Sequence, residues 1–209
     1  VPSPQPASGD HYFSASPAAT SAPRTVDLVL PEGHPLSLST DRGTFSPDRV
    51  DPGTRALLAQ APPRPDARTL VDLGCGYGPI AIALALRSAA PAVVWALEVN
   101  ERSRELCAAN AAAHGLADRI RVADPDEVPA DLAIDELWSN PPIRIGKPAL
   151  HALLRTWLDR LAPGGTATLV VQKHLGADSL ARWLDDQGWP TDRIATFGAY
   201  RILRSEARP

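Results

Sequence analysis

The 209-residue chain has no methionine, two lysines (Lys147 and Lys173) and two cysteines, and each shortage excludes something. Cys75 and Cys107 stand apart from any metal-ligand spacing and the five histidines are scattered, so no metal is expected. Two isolated thiols fit a reduced, packed state and a cytoplasmic setting. No apolar run reaches the length of a membrane span, and no leader segment is visible, so no membrane partner is expected. The basic residues are nearly all arginine and the net charge is −3. No chain-wide basic field marks a nucleic-acid binder, although a local patch stays open. With no methionine and Val1 first, the chain reads as a valine-type start codon taken literally, the true first residue being Met. What remains is long enough for one domain with a sizeable core, with or without a small appendage.

Residues 1–24 are rich in Pro, Ser and Ala and are expected to be flexible. Within them His11-Tyr12-Phe13-Ser14 reads either as a hydrophobic anchor or as part of a substrate mouth. The expected domain spans 25–209. It opens with a small hairpin layer over 25–45, in which TVDLVL and PLSLST alternate like strands.

The chain is organised around TLVDLGCGYGP, residues 69–79. A short apolar strand carries Asp72 near its end, and Gly74, Gly76 and Gly78 follow at every second position. Pro79 then opens a helix, where its missing N–H costs nothing. Glycines allow a sharp turn and leave no side chain between backbone and ligand, and the helix start adds unpaired N–H groups. The dinucleotide pattern G-x-G-x-x-G would need a glycine where Pro79 stands, and no Walker lysine is present. D-x-G-x-G-x-G instead resembles the S-adenosylmethionine loop of class I methyltransferases. The bland alternative is a tight turn with no ligand.

Downstream, strands at 92–99, 119–124, 132–140 and 166–173 alternate with helices, among them 102–114, the stretch from Lys147 and 177–187. Pro163-Gly164-Gly165 is expected to stop the helix from Lys147. RIATFG and AYRILRS lie too close for a crossover and read as an antiparallel pair. The expected fold is α/β: a doubly wound, Rossmann-like sheet, mostly parallel with an antiparallel C-terminal hairpin strand. Ligands bind such sheets at the carboxyl ends of the strands, which is where Asp72, Glu98, Asp124 and Asn140 fall.

In such a site Glu98 can accept from both ribose hydroxyls and Asp124 from the adenine amine, with Asp126 as its competitor. Asn140-Pro141-Pro142-Ile143 fixes a backbone with few donors. Asn140 and the Pro141 carbonyl can then hold a planar amine by its two N–H groups, its lone pair aimed at a methyl carbon. N-P-P plus an aromatic, after the fourth strand, is the pattern of amino-group methyltransferases, which Asn140-Pro141-Pro142 resembles. HYFS, GTFSPDRVDPGT, VDLGCGYGPIAIALA, SNPPIRIGK, VVQKHLGADSL and GAYRILRS together resemble the small-domain (MTS) methyltransferases related to small-subunit ribosomal RNA guanine-N2 enzymes. That resemblance implies S-adenosylmethionine as cofactor, bound through Asp72, Gly74, Gly76, Gly78, Glu98 and Asp124. It implies amine binding by Asn140 with Pro141, Pro142 and Ile143, and ribosomal RNA or a ribosomal subunit as partner.

Two features depart from that family. Ile143 stands where an aromatic usually stacks on the target, so Phe45 or Tyr12 would have to supply the ring. The ribosomal enzymes also tend to carry a second full-sized domain. Other readings are a protein glutamine amide or small amine as substrate, or a binding module without transferase activity, for which Asn140 would have no use. Arg144, Lys147, Lys173, Arg201 and Arg204 are the cations expected near the cleft.

Overall fold

Alternating apolar residues build the first unit: Val26, Leu28, Leu36 and Leu38 turn inward, and β1 (Arg24–Val29) pairs antiparallel with β2 (Pro35–Thr40). The structure is a computed structural model that describes residues 20–60, 62–89 and 91–209; residues 11–14 lie outside the described residues. The hairpin is held by Asn110, whose side chain accepts from the Ser39 N–H and donates to the Ser39 and Tyr77 carbonyls. One buried amide thus ties the hairpin to the glycine turn.

The main sheet comprises β3 (Thr69–Leu73), β4 (Val93–Leu97), β5 (Ile120–Ala123), β6 (Ile134–Ser139), β7 (Leu161–Gln172), β8 (Thr191–Phe197) and β9 (Tyr200–Glu206). Its order is β5-β4-β3-β6-β7-β9-β8. The first five strands are parallel, and β9 inserts antiparallel between β7 and β8. Strand order reverses between β3 and β6, which opens a crevice at their carboxyl ends.

Both faces of the sheet are covered. The hairpin, α1 (Pro52–Leu58), α2 (Pro79–Arg87) and α3 (Glu101–Ala113) close one apolar core. In α2 every residue from Pro79 to Ala85 is buried, as its unbroken apolar sequence requires. On the other face, α4 (Lys147–Leu158) buries Leu150, Leu154, Trp157 and Leu158, and α5 (Ala177–Asp186) buries Leu180 and Leu184. Truncating a fully buried leucine such as Leu154 to alanine costs about 2–5 kcal/mol.

One boundary differs from expectation. Pro163-Gly164-Gly165 lies inside β7, which starts at Leu161. The Ile134 N–H bonds the Arg160 carbonyl, and the β6–β7 register then shifts between Ile134 and Glu136. The two glycines therefore form an irregular strand entry rather than a simple helix stop.

Candidate active site

The glycine turn after β3 has positive φ at Gly74 (78°), Gly76 (54°) and Gly78 (96°). The three differ in what surrounds them. A Cβ on Gly74 or Gly76 would meet nothing within 4 Å, whereas one on Gly78 would lie 2.7 Å from Cys107 Sγ. Gly74 lines the cleft described below. Gly78 instead lets α3 close against the turn, the packing function that the last glycine serves in dinucleotide folds.

Most of the expected row of free N–H groups is already engaged. Gly74 and Cys75 donate to the Leu97 carbonyl at 2.9 and 3.0 Å, and Gly78 donates to Cys75 at 2.9 Å. Gly76 donates to Glu98 Oε2 at 3.0 Å, and Ala81 donates to Asp72 Oδ2 at 2.8 Å. A phosphate cradle needs open donors, and all three glycines of this turn hold theirs inside the fold.

Asp72 sits beneath the turn, fully buried and away from the cleft wall. Its Oδ1 has no partner among the described residues. Burial pushes its pKa up to about 8, against the Ala81 N–H and helped by the Glu98 charge. Through the Ala81 N–H it anchors the start of α2.

Glu98, just past β4, lines the cleft. Each of its oxygens accepts one backbone N–H, Asn100 on Oε1 and Gly76 on Oε2, both at 3.0 Å. Each oxygen therefore keeps acceptor capacity for a ligand hydroxyl. Burial raises its pKa, and the Asn100 and Gly76 donors oppose the rise. Asp124, just past β5, is engaged more fully: Oδ1 accepts from the Asp126 N–H and Oδ2 from Arg104. Its cap sets the turn that carries Pro125, which lines the cleft as Val99 does. Arg104, which carries no local signal that would single it out, also binds the Glu98 and Val99 carbonyls at 2.8 Å. It clamps the ends of β4 and β5 together.

Asn140 follows β6 and lines the same cleft. Its Nδ2 donates to Asp51 Oδ2 at 2.9 Å and Thr54 Oγ1 at 3.1 Å. A carboxylate oxygen accepts the Nδ2 N–H, so Asp51 fixes which way the amide faces and leaves Asn140 Oδ1 without a donor among the described residues. Asp51 also caps α1 through the Gly53 and Thr54 N–H groups at 2.7 and 3.1 Å. This pairing was missed in the sequence; an Asp-Pro-Gly-Thr helix start facing a strand-end Asn was the available signal. The Pro141 carbonyl, expected as a second acceptor, already takes the Ile143 N–H at 2.8 Å and retains one lone pair.

Asp51, Gly74, Glu98 and Asn140 border one cleft of about 500 Å³, a volume typical of small-molecule sites, whereas Asp72, Gly76, Gly78 and Asp124 do not line it. Leu73, Leu97, Leu153 and Val170 give it an apolar floor. Ile143, Pro141 and Pro142 line it beside Asn140, with Phe45 and Tyr200 contributing rings. Tyr12 lies outside the described residues. Of the expected cations, Arg144 lines the cleft and Lys147 and Lys173 are exposed. Arg201 is a correction: it is buried and donates to the Gly198 and Tyr200 carbonyls, so it serves the β8–β9 turn rather than a surface patch.

Among the described residues no group of His, Cys, Asp or Glu could hold a metal ion, and no helix is long and apolar enough to cross a membrane.

A doubly wound sheet with an internally bonded glycine turn, a strand-end glutamate and an N-P-P loop on one crevice defines the class as a methyltransferase fold. Within that class the chain belongs to the methyltransferase small domain family, whose profile matches residues 35–204. It is 31% identical to the uncharacterized protein YbxB of Bacillus subtilis (strain 168) over 200 residues, 94% of this chain and 98% of that one. It is 32% identical over 177 residues to ribosomal RNA small subunit methyltransferase C of Pseudomonas aeruginosa (strain LESB58), covering 78% of this chain and 52% of that protein. The fold is similar to that of T. thermophilus 16S rRNA N2 methyltransferase RsmC in complex with AdoMet and guanosine. The TM-score is 0.76 at 22% identity, over 92% of this chain and 52% of that one. The chain thus spans nearly all of YbxB and about half of the ribosomal RNA methyltransferases.

Proposed function

We propose that this protein is an S-adenosylmethionine-dependent methyltransferase acting on an exocyclic amino group of ribosomal RNA, the guanine N2 amine. The observation that carries the reading is the Asp51–Asn140 pair, which leaves the amide oxygen of a cleft-lining residue without a donor among the described residues.

The cleft suits the cofactor on three counts. Gly74 and Gly76 border space that a Cβ would occupy. Glu98 keeps acceptor capacity on both oxygens for the ribose hydroxyls. Val99 and Pro125 offer apolar surfaces to a flat heterocycle. When bound, S-adenosylmethionine supplies a methyl carbon made electrophilic by its sulfonium, a cation better placed near Glu98 than in a phosphate cradle. Asn140 Oδ1 and the remaining lone pair of the Pro141 carbonyl accept the two N–H groups of the target amine. Drawing both N–H groups out of the base plane pyramidalises the nitrogen, which takes its lone pair out of conjugation and points it toward the methyl carbon. The methylated nitrogen is acidic and sheds a proton, so no strong base is needed.

The ribosomal RNA part of the reading is supported by the small subunit methyltransferase C relative and by the guanosine in the RsmC complex. Arg144, Lys147 and Lys173 are too few to capture free RNA through phosphates, since such binding scales with the number of cations engaged. They suit a nucleotide presented by an assembled or partly assembled subunit. The test is labelled methyl transfer to ribosomal subunits, free ribosomal RNA and total protein in parallel. Label is expected in subunit RNA, and Arg144→Glu with Lys147→Glu should lower it without changing affinity for the demethylated cofactor. Label only in protein would transfer the reading to a glutamine amide.

A further inference from the structure

Ile143 offers no flat face beside Asn140, and its side chain packs against the α4/α5 core. The same cleft is lined by Tyr200, the first residue of β9, paired in register with Gln172 of β7 and Phe197 of β8. Tyr200 and Gln172 both line the cleft that holds Asn140 and Asp51.

The place of this ring is built into α1. A Cβ on Gly53 would lie 2.9 Å from Tyr200 Cε1, 3.1 Å from Cδ1 and 2.8 Å from Asp51 Oδ2. Glycine inside a helix costs about 0.5–1 kcal/mol relative to alanine, and here it leaves room for the ring next to the carboxylate that orients Asn140. Tyr200 is half-buried, and its hydroxyl has no hydrogen-bond partner among the described residues. A ring held firmly along one edge, with its hydroxyl unengaged, is arranged to receive something in the cleft.

We propose that Tyr200 is the stacking residue for the target base, replacing the aromatic that the N-P-P loop lacks. This deepens the proposed function and rests on it. The antiparallel C-terminal strand then belongs to the substrate site, and the base lies between the loop bearing Asn140 and the start of β9. Any base offers a π-face, so the stack adds affinity while the hydrogen bonds at Asn140 and Pro141 set the reacting amine.

The test compares Tyr200→Phe, Tyr200→Leu and Tyr200→Leu with Ile143→Phe, by steady-state transfer to ribosomal subunits and by calorimetry with the demethylated cofactor. Tyr200→Phe should keep kcat/KM close to wild type. Tyr200→Leu, which keeps an apolar body against Gly53, should lose about 10–100-fold in kcat/KM, as expected for one lost base stack, with cofactor affinity unchanged. Ile143→Phe in that background should recover most of the loss by returning a ring to the cleft. Wild-type activity in Tyr200→Leu, a parallel loss of cofactor affinity, or failure of Ile143→Phe to rescue would overturn the proposal. Wild-type label appearing only in protein would instead overturn the RNA reading, and this inference with it.

Discussion

Asp51→Asn separates two functions that one carboxylate performs. Asp51 caps α1 through the Gly53 and Thr54 N–H groups, and it fixes the Asn140 amide through Nδ2 at 2.9 Å. Asparagine is as good an N-cap as aspartate, so the helix start survives. The Asn140 contact changes from a charge-assisted bond worth about 1.5–3 kcal/mol to a neutral one worth about 0.5–1.5. The bias that keeps Asn140 Oδ1 toward the cleft therefore weakens by about 1–1.5 kcal/mol, close to tenfold in the ratio of competent to flipped amide. Turnover per folded molecule should fall measurably, by up to about tenfold, read as initial rate of methyl transfer at saturating cofactor. Affinity for the demethylated cofactor should stay at the wild-type value in calorimetry. The melting temperature should drop by about 2–4 °C, the equivalent of 1 kcal/mol in a chain this long. Asp51→Ala should cost a further 0.5–2 kcal/mol, roughly the worth of the lost cap. Wild-type turnover in Asp51→Asn would refute the claim that this carboxylate orients the amide.

Gly78→Ala places a Cβ 2.7 Å from Cys107 Sγ at a φ of 96° and should destabilise by about 2–4 kcal/mol, combining overpacking and left-handed strain. Adding Cys107→Ala should restore part of that in denaturant unfolding, and an unchanged midpoint in Gly78→Ala alone would contradict the packing role. Glu98→Ala should weaken binding of the demethylated cofactor by about 1–3 kcal/mol, the worth of a charge-assisted bond; unchanged affinity in calorimetry would remove Glu98 from the cofactor site. Asp72 carries a pKa raised to about 8 by burial, from an ordinary value of 3.8. The folded state thus holds this proton more tightly than the unfolded chain, and the stability it contributes is full below pH 3.8 and declines up to about pH 8. Asp72→Asn should therefore flatten that decline between pH 5 and 8 in thermal unfolding of the ligand-free protein, and an identical pH profile would show that Asp72 is ionised in the fold.

Most of the architecture was legible because its signals are local and periodic. The glycine turn, the Pro79 helix start, the leucine stripe of α4 and the strand-end Asp72, Glu98, Asp124 and Asn140 all follow from spacing and composition. Position along a strand told less about what a side chain faces. Asp72 and Glu98 both stand at or near strand ends, yet Asp72 anchors α2 from below while Glu98 opens to the cleft. Asp51, Arg104 and Tyr200 escaped notice because their functions depend on partners 89, 20 and, for the Tyr200–Gly53 contact, many residues away. Asp51 reads locally as a helix cap, Arg104 as a solvated helix charge, and Tyr200 as one more residue of a closing hairpin. Arg201 erred the other way: a basic residue near the cleft in sequence is buried by the tight β8–β9 turn, whose carbonyls take its donors.

The central claim is that this cleft, through Asn140, transfers a methyl group to the exocyclic amine of an RNA base. The most direct measurement is mass spectrometry of nucleosides released from ribosomal subunits incubated with S-adenosylmethionine and either the wild-type protein or Asn140→Ala. The account predicts N2-methylguanosine in the wild-type reaction and a rate about 10²–10³ lower with Asn140→Ala, the loss expected of a positioned polar group, at unchanged affinity for the demethylated cofactor. A methyl group on a ring nitrogen, a ribose or a protein side chain, or an Asn140→Ala variant as fast as wild type, would contradict it.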